Sequence, residues 1–153
     1  HATELIGLGM NDQEMQANSA LSSHQVQDLN ARPQLPFSDA QFDAVICSLS
    51  VEYLIHPFEL FAEVARVLRP GGQFIVTFSD RWFPSKAIQL WAELHPFERL
   101  GLVTEYFLRD GLYDRLNTWS LRGMPRPQDD PYARQRHESD PLFAVWGTRI
   151  DNG

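Results

Sequence analysis

The hydrophobic and polar positions of this chain change period several times, and each change marks an element. Glu4 to Gly9 (ELIGLG) is a short apolar run carrying two glycines and predicts a strand. Asn11 or Asp12 can cap a following helix that holds Met15 and ends near Asn18-Ser19. Gln25 to Leu29 (QVQDL) predicts a brief strand. Asn30 to Gln41, with Pro33, Pro36, Ser38 and Asp39, predicts a loop. Phe42 to Ser48 (FDAVICS) is apolar almost throughout, the pattern of a central parallel strand buried on both faces.

After it, Pro57 suits a first helical turn, and Phe61, Val64, Ala65 and Leu68 recur at helical spacing. Arg66 and Arg69 would sit in the last turn, against the negative end of the helix dipole, with Pro70-Gly71-Gly72 as the stop. Gln73 to Ser79 (QFIVTFS) is a second β-branched strand, so the run forms a βαβ unit whose right-handed crossover makes its strands parallel. Pro84 to Leu94 and Phe97 to Arg109 read as helices split at His95-Pro96, with Gly111 ending the second. Asn117 to Leu121 and Leu142 to Arg149 read as a final strand pair. The segment 122–141 between them holds four prolines and eight charged side chains, too long for a hairpin turn, and reads as a lid or a mobile insertion. The pattern predicts one α/β domain: a Rossmann-like, mostly parallel sheet flanked by helices and ending in an antiparallel strand pair.

Composition narrows the classes. The 153 residues are 43% hydrophobic and 22% charged, as in an ordinary globular domain. A formal net charge of -7 without a basic stripe argues against nucleic acid as partner, and no apolar run is long enough for a membrane span. The single Cys47 lies within an apolar run and reads as a small buried hydrophobe, which fits a cytoplasmic setting. The chain begins with His1 rather than Met, which suggests a tag remnant or a trimmed fragment.

Little familiar chemistry is present. No nucleophile elbow, P-loop or paired-cysteine motif occurs, and the five histidines never fall at i, i+4 spacing, so no metal site is expected. What remains is ligand binding in the crevice at the carboxyl ends of parallel strands, where Gly7 to Asn11, Asp28 to Asn30, Ser48 to Tyr53 and Ser79 to Phe83 would form the loops. Taken alone, ELIGLG with Asp28 nineteen residues after Gly9 also imitates a nucleotide-binding fingerprint, with only a Gly-x-Gly turn to carry it.

The order D-L-N, then LPFSDAQFDAV, a polar strand exit and RVLRPGG resembles the class I S-adenosylmethionine-dependent methyltransferases of the type 11 group. GLGMN, SVEYL, FSDRWFPSKAIQLW and the tail PRPQDDPY…SDPLFAVWGTR extend that resemblance over almost the whole chain. The resemblance implies S-adenosylmethionine as cofactor and a small-molecule methyl acceptor. It would make ELIGLG the fold's second strand, so that Gly9, Met10 and Asn11 face ribose and adenine. Many members carry there a carboxylate that accepts from both ribose hydroxyls; here Asn11 or Asp12 would have to substitute. Asp28 resembles the residue that meets the adenine amino group, with the Leu29 backbone alongside; equally, it could be an Asp that caps its own turn. Ser48, Leu49 and Ser50 resemble the fourth-strand exit beside the methionine moiety. Trp82, Phe83 and Trp91, with Tyr53, would wall a substrate pocket. Tyr53 and His95 are conceivable proton handlers, and no catalytic base carries over.

In that family the first strand, with a glycine-rich turn, lies between the second and the fourth. No such strand and turn is visible here, so the resemblance implies a truncated domain. Binding of S-adenosylmethionine by this chain alone is then expected to be weak or absent. A second copy covering an exposed sheet edge would give a homodimer. Two functions follow: part of a small-molecule methyltransferase, or a non-catalytic α/β remnant acting as a binding or assembly module.

Overall fold

A computed structural model describes residues 4–151, so His1, on which the expectation of a trimmed start rests, lies outside the described residues. The elements run β1 (Ile6–Gly9), α1 (Asp12–Ala17), β2 (Ser23–Val26), β3 (Phe42–Ser48), a 3-10 turn (Val51–Tyr53), α2 (Pro57–Val67), β4 (Leu68–Ser79), α3 (Gln89–Glu93), α4 (Pro96–Leu108), β5 (Tyr113–Leu121) and β6 (Leu142–Arg149). The strands form two sheets. β1 and β2 pair in parallel, and β3, β4, β6 and β5 form a four-stranded sheet in that order. β3 and β4 are parallel, as a right-handed crossover requires, and β6 is antiparallel to both of its neighbours.

The register decides where chemistry can gather. Ser48 lies opposite Thr77, Ser79 opposite Leu142, and Leu142 opposite Leu121. The carboxyl ends of β3 and β4 therefore share one end of the sheet with the whole β5–β6 connection. That connection is an ordered hairpin: Pro125 bridges Glu138, the Arg126 amide donates to the His137 carbonyl at 2.9 Å, and the Ser139 amide to Met124 at 2.8 Å.

Helices α2 and α4 cover one face of the sheet over an aromatic core. Phe61 packs edge-on against Phe74 at 4.8 Å and Phe107 at 4.9 Å, and Phe107 meets Tyr113 at 5.1 Å. Edge-to-face geometry sets each ring's positive rim against its neighbour's negative face. The buried Tyr113 hydroxyl donates to the Phe61 carbonyl at 2.7 Å, fastening β5 to α2. The LPFSD segment is a clamp on α2. The Leu35 amide donates to Glu63 at 2.8 Å, while Arg66 donates to the Leu35 and Phe37 carbonyls and pairs with Asp39 at 2.7 Å. The Ala40 and Gln41 amides then cap the Arg66 and Val67 carbonyls, which the helix end would otherwise leave open.

Several boundaries differ from the sequence expectation. β2 lies two to three residues earlier than Gln25–Leu29, because Gln27 to Arg32 uses its polar groups in a local turn. β3 has the expected bounds, but among the described residues it pairs with β4 alone, and Ile46 is 63% exposed rather than buried on both faces. RPGG does not stop α2; the helix ends at Val67, and Pro70 to Gly72 lies within β4. Gly71 adopts a left-handed φ of 79°, and a Cβ at Gly72 would come within 2.8 Å of the Arg69 carbonyl oxygen. The glycines thus serve a strand irregularity against β3, between Phe42 and Ala44. Helix α3 begins at Gln89 rather than Pro84, because the Lys86 and Ala87 amides turn back onto Phe83 and the Ile88 amide donates to Glu52.

Candidate functional site at the strand exits

The exits of β1 to β4 are joined by a row of hydrogen bonds. The Gln27 amide donates to the Gly9 carbonyl at 2.9 Å. Three residues on, Asn30 reaches the β3 exit, its Nδ2 donating to the Tyr53 carbonyl at 2.9 Å and its Oδ1 accepting from the Ile55 amide at 3.0 Å. The Tyr53 hydroxyl in turn accepts from the Phe83 amide at 3.1 Å beyond β4. Gln27, buried, holds the β2 turn from inside by donating to the Arg32 and Gln34 carbonyls.

At the β1 exit, Gly9 is half-buried and Met10 is 71% exposed. Asn11 is the N-cap of α1, its Oδ1 accepting from the Glu14 amide at 3.3 Å. Both carboxylate oxygens of Asp12 are taken locally, Oδ1 by His24 at 2.7 Å and Oδ2 by Gln16 at 2.8 Å. The pair of free acceptors that two ribose hydroxyls ask for is thus not offered by Asp12. At the β2 exit, Asp28 Oδ1 accepts from the Asn30 amide at 2.9 Å and from the Ala31 amide at 3.4 Å, the Asp turn that caps its own backbone. Its Oδ2 stands outside those two bonds on an exposed residue, and Leu29 packs on the core.

The β3 exit is strained. Leu49 has a φ of 50°, a region that costs a non-glycine residue about 1–3 kcal/mol. Its amide donates to the Thr77 carbonyl at 2.8 Å, Ser50 Oγ donates to the Ser48 carbonyl, and Thr77 Oγ1 donates to Ser48 Oγ at 3.2 Å. The backbone of Ser48 to Ser50 is thereby held on the crest of the sheet with the Leu49 side chain half-exposed.

Of the expected pocket walls, Tyr53 and Phe83 face one another with ring centroids 6.5 Å apart. Trp91 is elsewhere: it is fully buried, edge-on to Phe78 at 5.1 Å, and walls no open pocket. His95 caps α4, its Nδ1 accepting from the Phe97 amide while its own amide donates to Glu98. A cleft of about 430 Å³ does lie beyond β4, between the exit residues Asp80 to Trp82 and the hairpin residues Arg126, Tyr132 and Asp140. Asp140 holds that hairpin down by pairing with Arg81 at 3.1 Å, Arg126 at 3.2 Å and Arg136 at 3.5 Å.

Of the residues that the sequence reading did not single out, Asn30 links the β2 turn to the β3 exit, while Glu52 and Asp80 gather around Arg99. Arg99 is 4% exposed, with its guanidinium 4.0 Å from the Trp82 ring centre and 5.5 Å from that of Trp91. Glu52 is 1% exposed. Burial holds the Glu52 carboxyl above its usual range, against the opposing pull of Arg99, and burial lowers Arg99 against the pull of Asp80 and Glu52. Among the described residues the buried side-chain atoms without a hydrogen-bond partner are Glu52 Oε2, Asp80 Oδ1, Trp82 Nε1 and Trp91 Nε1, all from residues grouped around Arg99. An unpaired buried polar group costs about 1–3 kcal/mol, so their collection in one place is not a packing accident. The available signals were a carboxylate inside the apolar SVEYL and an arginine in register with Val103 and Tyr106 on the buried side of α4.

Residues 3–76 match the family described as "Methyltransferase domain". A ubiquinone/menaquinone biosynthesis C-methyltransferase UbiE of Bartonella tribocorum is 30% identical over 125 residues, covering 80% of this chain and 46% of the relative. That of Laribacter hongkongensis is 35% identical over 78 residues, covering 50% and 31%. A malonyl-[acyl-carrier protein] O-methyltransferase of a Marinomonas species is 28% identical over 88 residues, covering 58% and 32%. The chain thus spans less than half the length of these curated relatives. In fold it is similar to a SAM-dependent methyltransferase of Thermotoga maritima (TM-score 0.63, 16% identity, 94% of this chain and 72% of that one). One from Archaeoglobus fulgidus is similar too (TM-score 0.59, 13% identity, 94% and 75%). The row of strand-exit loops, the crossover unit ending in RVLRPGG and these likenesses agree: residues 3–76 match the methyltransferase domain family, and the fold is that of S-adenosylmethionine-dependent methyltransferases.

Proposed function

We propose that this chain supplies the adenine side and the acceptor side of an enzyme that transfers a methyl group from S-adenosylmethionine to a small molecule. The observation that carries this reading is the bonded row of strand exits, from Gly9 through Asn30 and Tyr53 to Phe83, in a chain that matches this domain family. Asp28 and the Leu29 backbone would hold adenine, and the raised backbone of Ser48 to Ser50 would border the methionine end. The ribose is served less well, since Asp12 has both oxygens engaged and Asn11 is committed to its helix cap. The group supplies an electrophilic methyl when bound. The protein's part is orientation, which alone can account for much of such an acceleration.

The methyl acceptor would enter between Tyr53, Trp82 and Phe83 and the 122–141 hairpin. Supporting this reading, relatives carry the names ubiquinone/menaquinone biosynthesis C-methyltransferase and malonyl-[acyl-carrier protein] O-methyltransferase. A second reading, a non-catalytic α/β binding module, is favoured by the same engaged Asp12 and by the open edge of β3, which a second copy could cover. Calorimetric titration with S-adenosylhomocysteine separates the two. Binding at micromolar concentration that weakens roughly tenfold in Asp28→Ala, about 1.4 kcal/mol, supports the enzyme and the adenine assignment; no binding up to millimolar concentration supports the module.

A further inference from the structure

We infer that the cleft between the β4 exit and the 122–141 hairpin is a binding site for a carboxylate, taken up between the guanidiniums of Arg81 and Arg136. The inference rests on the methyl-transfer reading for its biological meaning, in which the acceptor is a small carboxylic acid, but not for the binding itself. Three arginines line the cleft, Arg81 from the strand exit and Arg126 and Arg136 from the hairpin. They differ in what they can offer. The Arg126 side chain is 3% exposed, and its three nitrogens are engaged by the Glu138 carbonyl, Asp130 and Asp140. It fastens the hairpin and has nothing to spare. The Arg81 and Arg136 side chains are 53% and 66% exposed. Of the five N–H groups on a guanidinium, each commits one to Asp140, at 3.1 Å and 3.5 Å, which leaves donors on both for a ligand in the cleft. Both touch the oxygens of that one carboxylate, so the two guanidiniums stand close enough for a second small oxyanion to bridge them.

The charges call for one more negative group. Asp140 is shared by all three guanidiniums, and Asp130 adds a carboxylate on Arg126 alone. Three positive charges therefore meet two negative ones. Asp80 lines the cleft as well, but its charge is set against a fourth arginine, the buried Arg99 behind the Trp82 ring. In a chain of formal net charge -7, an exposed cluster with a positive remainder is a local exception. An ammonium would meet three guanidiniums. A neutral group would leave the remainder unmatched. A phosphate monoester would bring close to two charges against a remainder of one. A carboxylate carries a single charge and two coplanar acceptors, the shape that a guanidinium fork receives.

The test titrates the full 153-residue chain, labelled with ¹⁵N, with four probes of similar size: benzoate, benzamide, benzylammonium and phenyl phosphate. Benzoate is expected to move the backbone amides of Arg81, Trp82 and the 132–136 turn saturably. It should bind at least about threefold more tightly than the other three, the range of one exposed ion pair. Arg81→Gln and Arg136→Gln should each reduce the preference for benzoate over benzamide, and Arg136→Lys should keep part of it. Arg136 is the more exposed of the two, so its variants carry the test should Arg81→Gln loosen the hairpin. Added sodium chloride should weaken benzoate and leave benzamide unchanged. Benzamide binding as tightly as benzoate, tighter binding of benzylammonium or phenyl phosphate, or benzoate binding indifferent to both glutamine variants would each overturn the inference. Benzoate binding without S-adenosylhomocysteine binding would keep the site and remove the methyl-transfer reading; the reverse would keep that reading and remove the site.

Discussion

The Asn30 carboxamide donates to the Tyr53 carbonyl at 2.9 Å across 23 positions of sequence, and its oxygen closes a second bond on Ile55. This side chain ties the turn after β2 to the exit of β3, which belong to different sheets. Asn30→Ala removes both bonds and leaves a part-buried carbonyl without its partner. The expected cost is about 1–3 kcal/mol, read by chemical denaturation, with faster hydrogen exchange at the Ile55 amide. A variant as stable as the parent, with unchanged Ile55 protection, would show the link to be incidental.

Three arginines of the 122–141 hairpin and the β4 exit share one carboxylate, Asp140. Asp140→Asn leaves Arg81, Arg126 and Arg136 without their shared partner, and Arg126, whose side chain is 3% exposed, retains Asp130 and its Nε bond to the Glu138 carbonyl. Limited proteolysis is expected to cut the segment between 127 and 136 severalfold faster in the variant, with the strands left intact. Because the Arg81 and Arg136 pairs are exposed, added salt should accelerate cleavage of the parent chain as well.

Glu52 makes stability depend on pH. Burial raises its carboxyl above the unfolded value, Arg99 opposing, so the native state holds the proton more tightly than the unfolded chain. The associated stability is fully present below the ordinary carboxylate value of about 4.3 and is lost as pH rises through the raised one. Glu52→Gln removes that loss. Its Tm relative to the parent should therefore climb between weakly acidic and neutral pH; a constant difference over that window would contradict the assignment.

Cys47 should be inert. Burial first, and then the Glu52 charge, push its thiol up to about 12, so the reactive thiolate is scarce at neutral pH. Iodoacetamide at pH near 8 should modify Cys47 far more slowly than it modifies the unfolded chain. Glu52→Gln should speed the reaction only slightly, since burial is the larger cause.

Much of the architecture was legible from the chain, and the reasons can be read from particular residues. Pro57, the stripe Phe61, Val64 and Ala65, and the β-branched run 73–79 follow local periodicities, and the structure keeps them, while Leu68, expected in the same stripe, opens β4 instead. Leu142–Arg149 was legible for the same reason. What local pattern does not carry is which neighbour a strand receives: FDAVICS reads as a central strand, yet β3 exposes Ile46. RVLRPGG was informative as a family mark and misleading as a helix stop, because its glycines answer to backbone crowding between β3 and β4. Asn30 meets Tyr53 23 positions on, and Glu52 faces Arg99 47 positions on, a relation no short window of sequence displays.

Helix α2 ends at Val67 and β4 begins at Leu68, with no residue between them to act as slack. The Leu68 carbonyl is further gripped by Arg149 Nη1 from β6. Mechanically the helix and the strand are one bent bar with a welded joint. Any adjustment to guests of different shape then falls to the end of the sheet away from that joint, at Leu49, the 80–88 loop and the hairpin.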